Sequence, residues 1–218
     1  MSGVLGTIPL AAHVILQSLN QLLLPVSMGI GTAANTRVGN LLGAGDAKQA
    51  SLVLRLSLVV ASVVQCFLSG VIYSMRERVA YIYSSDADVI NAVARCALIF
   101  ACFQAINGAN QTLRGVMAGC GLQMLNAKVS NGATWLFGLP LAYTLAFVLE
   151  RGLLGVWEGQ ALSTLMRQCL LFFFAMRIDW VEMSAKAQAR QAAKRSTTEE
   201  RQRLASVDEE GEEEESNP

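Results

Sequence analysis

The chain has 218 residues, 53% hydrophobic and 16% charged, with 17 basic and 17 acidic side chains cancelling to no net charge. Mean hydropathy is positive, which excludes an ordinary soluble domain. The cancellation is uneven, ten Lys/Arg to six Asp/Glu over residues 1–176 and seven to eleven over the last 42, so the net charge says nothing about partners.

Five apolar runs, roughly 8–31, 49–72, 89–113, 128–149 and 153–176, are each long enough at about 1.5 Å per residue to cross a ~30 Å hydrocarbon core as helices. No early run has the basic flank and small-residue cleavage site of a signal peptide. The alternation that a membrane barrel needs is missing. Helices satisfy their own backbone in lipid, so the expected class is an all-α integral membrane domain over residues 1–180 with a tail over 181–218.

The first run begins Leu10-Ala11-Ala12-His13, is expected to be broken in mid-span by Pro25, and is expected to leave the bilayer through Asn35-Thr36-Arg37-Val38-Gly39-Asn40 and the turn Leu42-Gly43-Ala44-Gly45. Within it His13, Gln17, Asn20 and Gln21 stand at i, i+4, i+7 and i+8 and share one face. That face runs into Pro25, whose ring removes a helical hydrogen bond and frees backbone groups, so Pro25 is read as a hinge. In the third run Asn107, Asn110, Gln111 and Arg114 form a second polar face. Amides in spans act as glue between helices, at about 0.6–2 kcal/mol apiece, or line a water-filled cavity. Two long amide faces favour the cavity, with Gln17, Asn20, Gln21, Asn107, Asn110 and Gln111 as its candidate lining. Trp135 in the fourth run packs against lipid or offers its ring to an organic cation. Gly115-x-x-x-Gly119, continuing to Gly121, reads as a site of close helix approach or a tight turn. Glu158, a turn into the last run, either snorkels to the interface or couples an ion, and His13 is the other titratable candidate. Arg167 lies nine residues beyond Glu158, too far for a local pair.

Lys and Arg in the connections set the expected orientation. Arg37 and Lys48 mark the first connection, Arg114 and Lys128 the third, and Arg177, Lys186, Arg190, Lys194 and Arg195 the tail, so these are expected to be cytosolic. In the second connection Arg76 and Arg78 are balanced by Glu77, Asp86 and Asp88, and in the fourth Arg151 stands beside Glu150. Five spans and a cytosolic end then place Met1 across the membrane, and the opening residues look like the last turn of a helix. The expectation is the back part of a longer protein, or a reading frame that starts late. Arg177-Ile178-Asp179-Trp180 reads as an interfacial stop and residues 184–205 as a surface helix. Asp208–Glu215 reads as an unordered, solvated acidic end or a partner-binding tail.

No enzyme is expected. With one histidine and no carboxylate or cysteine beside it at helical spacing, no nucleophile–base set forms, and Gly43-Ala44-Gly45 lacks the lysine of a phosphate loop. The five cysteines (Cys66, Cys96, Cys102, Cys120, Cys169) have no metal-ligand spacing and read as small buried hydrophobes. Basic residues flank spans without interleaved aromatics, so nucleic acid is not a partner, and no cofactor or metal is expected.

The Leu10–His13 start, the Pro25 kink and the Arg37-Val38-Gly39-Asn40-x-Leu42-Gly43-Ala44-Gly45 exit together resemble the second half of a multidrug and toxic compound extrusion (MATE) transporter. The resemblance continues through Ile82–Ile90, Gly115-Val116-Met117-Ala118-Gly119-Cys120-Gly121-Leu122-Gln123, Gly138-Leu139-Pro140-Leu141, Gly155-Val156-Trp157-Glu158-Gly159 and Arg177–Trp180. It implies the carboxy-terminal lobe of a eukaryotic-type member, from the end of span seven through span twelve. That is five helices and a partial one, half of a twelve-helix, two-lobe, inverted-V transporter, with Pro140 as a second hinge. It also implies a multi-pass protein of the plasma membrane or an intracellular vesicle membrane. Such a protein exports organic, often cationic or amphipathic xenobiotics in exchange for protons or sodium ions, together with the missing amino-terminal lobe. This sequence departs from the family at Pro9 and Asn107, where animal members carry acids, and at Ala118, where the signature arginine stands; Arg114, one turn earlier, is a substitute. Coupling through the other lobe, coupling through Glu158, or a less cationic substrate would each account for this, and the Asn107–Gln111 amides suit a polar neutral or mixed substrate. The alternatives are a truncated membrane protein that does not transport, and a lipid-linked-substrate flippase with a cationic cavity. The few arginines in the spans, Arg55, Arg95 and Arg167, mostly near span ends, disfavour the flippase.

Overall fold

The computed structural model describes the backbone of residues 6–215 and the side chains of residues 6–198; the opening residues 1–5, read above as a helix end, lie outside it. The chain runs through α1 (Thr7–Gly43), α2 (Ala47–Ser74), α3 (Arg76–Tyr83), α4 (Ala87–Gly119), α5 (Gln123–Gly132), a π-helical stretch Ala133–Gly138, α6 (Leu139–Tyr143), a second π-helical stretch Thr144–Val148, α7 (Gly152–Met176) and α8 (Trp180–Glu215). No strand occurs among the described residues.

The first helix corrects the sequence reading. It is 37 residues long, about 55 Å, and it continues through Pro25 and through the Asn35–Asn40 exit to Gly43. Pro25 withholds only its own N–H from the carbonyl of Gln21, and the bonds on either side keep the helix running. Arg37 therefore leaves the apolar run on a projecting helical end. The turn that follows is compact: the Asp46 N–H donates to the Leu41 carbonyl at 2.9 Å, and Gly45 takes a φ of +87° that disfavours side chains. Asp46 then accepts from the Gln49 N–H at 2.9 Å and caps α2. Asp86 caps α4 in the same manner through the Asp88 N–H.

By length and composition α1, α2 and α4 can each cross a membrane, and α7 with α8, bent by 82° to one another, makes a fourth candidate. Over the run 128–149 the chain is helical to Val148, with bonding that widens to the π pattern on both sides of α6. Pro140, at the start of α6, has no N–H to give, and the Thr144 hydroxyl donates to the Pro140 carbonyl at 2.9 Å. The second connection contains α3, which no apolar periodicity announced. The acidic end also differs from expectation, because the backbone is helical to Glu215; its Ala-, Lys-, Arg-, Gln- and Glu-rich lead-in favours helix.

Leu52, Leu56, Val59, Val63 and Phe67 descend one side of α2, each more than half exposed. An apolar stripe turned outward is what a lipid-facing helix presents. Cys66, Cys102 and Cys169 are likewise exposed, and only Cys96 and Cys120 are the buried hydrophobes that the sequence suggested for all five. Inside, α1 and α4 approach until their backbones touch. A Cβ on Gly31 would stand 2.7 Å from the Gln111 carbonyl oxygen, one on Gly119 2.7 Å from that of Asn35, and one on Gly115 would overlap the carbonyl of Gly31. The glycine pair at 115 and 119 is thus the close-approach site read from the sequence.

Two apolar clusters hold the bundle. One gathers Leu16, Phe100, Phe103 and Trp157 at one end; the other gathers Val38, Leu42, Leu54, Leu113, Met117 and Leu171 at the end bearing Arg37 and the tail. There α8 closes over α1, and the Ser184 hydroxyl donates to the Leu42 carbonyl at 3.0 Å.

Replacing Gly115 with Val is expected to lower stability by about 1–3 kcal/mol or more through overpacking, whereas Gly29→Ala, with open space around it, leaves stability unchanged. Thermal melting of the detergent-solubilised protein measures both.

Candidate functional site

Between the two apolar clusters every packed helix turns polar at the same height. Ser27 of α1, Gln65 of α2, Gln104, Asn107, Asn110 and Thr112 of α4, and Thr164 of α7 are all buried. Part of this level is glue: Gln65 Nε2 donates to Ser27 Oγ at 2.7 Å and to the Gln104 carbonyl at 3.4 Å, seated against Gly108 where a Cβ has no room. Gln65 stood alone in an apolar run and gave no periodic signal. The side-chain amides of Asn110 and Gln104 are buried without a partner among the described residues.

The remainder of the level opens into a cleft of about 330 Å³ between α1, α4, the Ala133–Tyr143 segment and α7. It brings together Asn20, Asn107 and Gln111 from the expected lining and adds Arg114, Gln160, Thr164 and Arg167. Not all candidates join them. Gln17 and Gln21 lie outside the lining, Gln21 fully exposed; Asn110 is buried behind it; Trp135 is 69% exposed on an outer face. Orientation about the helix axes thus puts Asn20, Asn107 and Gln111 in the cleft, Gln65 in the contact between helices, and Gln17 and Gln21 in neither.

Arg114 and Arg167 change the chemistry. Arg114 Nη1 donates to Gln111 Oε1 at 3.3 Å, which leaves the Gln111 amino group as a donor. Arg167 is partly buried, and its Nε has no hydrogen-bond partner among the described residues. A guanidinium near the middle of a membrane helix costs about 2.5–3.5 kcal/mol on insertion scales. Sequence spacing alone counted Arg167 among the arginines near span ends, yet it stands well inside α7, and its missing acidic neighbour at i±3 or i±4 was the available signal.

The titratable candidates lie nearer the other end. Glu158 accepts an ion pair from Arg151 at 2.9 Å, with its side chain 14% exposed and Oε2 buried without a partner. The His13 ring lies 5.5 Å from that of Trp157, which also packs edge-on to Phe100 and Phe103. Neither Glu158 nor His13 lines the polar cleft. No group of three or more His, Cys, Asp or Glu able to hold a metal occurs among the described residues.

A lipid-facing helix bundle with a polar cleft at mid-height is the build of a membrane transporter. The MatE family model matches residues 1–144, and the chain belongs to that family, the multidrug and toxin extrusion transporters. It is 32% identical to human multidrug and toxin extrusion protein 1 over 86% of this chain and 33% of that protein. It is also 34% identical to protein DETOXIFICATION 36 of Arabidopsis thaliana, over 81% of this chain and 35% of that one. Its fold matches the crystal structure of the eukaryotic MATE transporter AtDTX14 with a TM-score of 0.77 at 28% identity, over 84% of this chain and 40% of that one. An outward-facing multidrug resistance MATE structure matches with a TM-score of 0.73. The chain spans about a third of the length of the curated relatives it matches.

In a background without native thiols, cysteines at Asn107, Gln111 and Gln160 are expected to react with a membrane-impermeant thiol reagent. A cysteine at Asn110 is expected to stay unlabelled. Protection of all four positions would show the cleft to be dry.

Proposed function

We propose that the chain is one lobe, the carboxy-terminal one, of a secondary active antiporter that moves organic compounds outward in exchange for protons or sodium ions. The observation that carries this reading is the polar cleft at mid-height in a chain that belongs to an extrusion family. Transporter sites sit near the bilayer midplane at the junction of two repeats, and alternating access rocks one against the other. The five-span division expected from the sequence fits this role, with α5 to the second π stretch as the fourth span. The basic end of α1 and helix α8 then face the cytosol, in the plasma membrane or an intracellular vesicle membrane.

Pro25 and Pro140 serve as hinges in this reading. Pro25 leaves the Gln21 carbonyl unbonded, and Pro140 sits between two π-helical stretches, where the backbone ladder is already loosened. Glu158 is the embedded acid available to carry the coupling ion, since Arg151 occupies one carboxylate oxygen and the other is buried and free of partners among the described residues. His13, stacked beside Trp157, would relay a proton to the same region. Two guanidiniums at the cleft restore weight to a cationic-cavity flippase, but the family assignment favours small organic solutes over lipid-linked ones.

Reconstitution with its partner lobe into liposomes tests the proposal. Uptake of a labelled organic solute should require an imposed proton or sodium gradient and collapse with the matching ionophore. Flux indifferent to both gradients would remove the antiport reading, and no flux at all would favour the non-transporting membrane protein. Glu158→Gln is expected to abolish gradient-driven uptake while sparing solute counterflow. Pro25→Ala is expected to slow both by about tenfold, the cost of a roughly 1.4 kcal/mol higher barrier.

A further inference from the structure

The charges lining the cleft are all of one sign. Arg114 and Arg167 reach it from α4 and α7, and no carboxylate lines it. The nearest embedded acid, Glu158, is engaged by Arg151, and neither cleft arginine is in an ion pair among the described residues.

The polar groups around the pair supply free donors alongside an acceptor, the buried Asn20 Oδ1, which has no partner among the described residues. The Gln111 carbonyl is occupied by Arg114, leaving its amino group free. Asn107 lines the cleft at 7% exposure with no side-chain hydrogen bond among the described residues. Arg167 Nε, buried and unpartnered, is a further donor. Phe103, Leu139 and Val156 supply apolar wall beside them.

From this we infer that the cleft binds an organic anion, with its carboxylate held by the Arg114 and Arg167 guanidiniums and its apolar body against the Phe103 side. The inference rests on the transporter reading for its setting and narrows its substrate class, away from the cationic compounds that family resemblance implied. A planar carboxylate matches the fork of guanidinium donors. An organic cation, by contrast, would meet two like charges with no carboxylate in the lining to offset them.

The test is equilibrium binding to the purified full chain in lipid nanodiscs at constant chloride, with no gradient, so that failure of binding and failure of transport are separate results. The probes are benzoate, inorganic phosphate and tetraethylammonium. Benzoate should bind and tetraethylammonium should not. Arg114→Gln and Arg167→Gln should each weaken benzoate roughly tenfold or more, and Arg167→Lys, which keeps the charge and loses the fork, should fall between. Asn107→Asp, which removes no packing group and adds a negative charge, should weaken benzoate and admit tetraethylammonium. Arg114 is exposed, so its variant keeps the test decisive if the Arg167 variants fail to fold. Tetraethylammonium binding as tightly as benzoate, phosphate matching benzoate, or affinities unmoved by both arginine variants would each overturn the inference.

Discussion

The contact on which the rest of the molecule depends is the meeting of α1 and α4 at Gly31, Gly115 and Gly119. Between membrane helices there is no hydrophobic drive, because lipid is as apolar as leucine, and association relies on close packing and polar contacts. Three glycines let two long helices touch backbone to backbone. At that separation Asn20 and the Asn107–Gln111 turn face one another across a narrow gap. α7 then packs on α4, closing the third side of the cleft and carrying Arg167 to it. A side chain at any of the three positions would separate the walls and dissolve the site.

The second constraint is vertical. A polar side chain in hydrocarbon costs free energy unless it is bonded or wet, and here the polar residues of four helices share one level between two apolar clusters. Gathering them lets some satisfy one another, as Gln65 does with Ser27, while Asn20, Asn107 and Gln111 line one shared cleft. Spread along the helices, the same residues would each need a separate solution. The apolar clusters above and below hold that level in place, one around Trp157 and the other reinforced by α8.

The charge of that space is set by its lining, in which no carboxylate offsets Arg114 and Arg167. A membrane-embedded acid does remain, but Glu158 stands apart with Arg151, nearer the other end of α7. The polar cleft and the Glu158–Arg151 pair are therefore spatially separate and joined through α7, whose Trp157 touches both His13 and the Phe103 wall of the cleft.

The all-helical class and the glycine contact were legible in the sequence, because hydrocarbon allows few solutions: apolar runs of sufficient length must be helices, and small residues at i, i+4 mark where helices meet. The amide faces were legible as faces, since helical periodicity is local. What spacing could not decide was which amides point inward. Gln17, Asn20 and Gln21 share one arc of α1, yet only Asn20 lines the cleft, and that depends on the rotation at which α1 docks on α4. Continuity of α1 through Pro25 and the π-helical bonding around Pro140 were hidden for a similar reason, since neighbouring helices determine whether a missing hydrogen bond breaks a helix or is absorbed. The convergence of Arg114 with Arg167, 53 positions apart in the chain, came from tertiary structure alone, because no local rule relates the faces of two helices until packing sets their angle and separation.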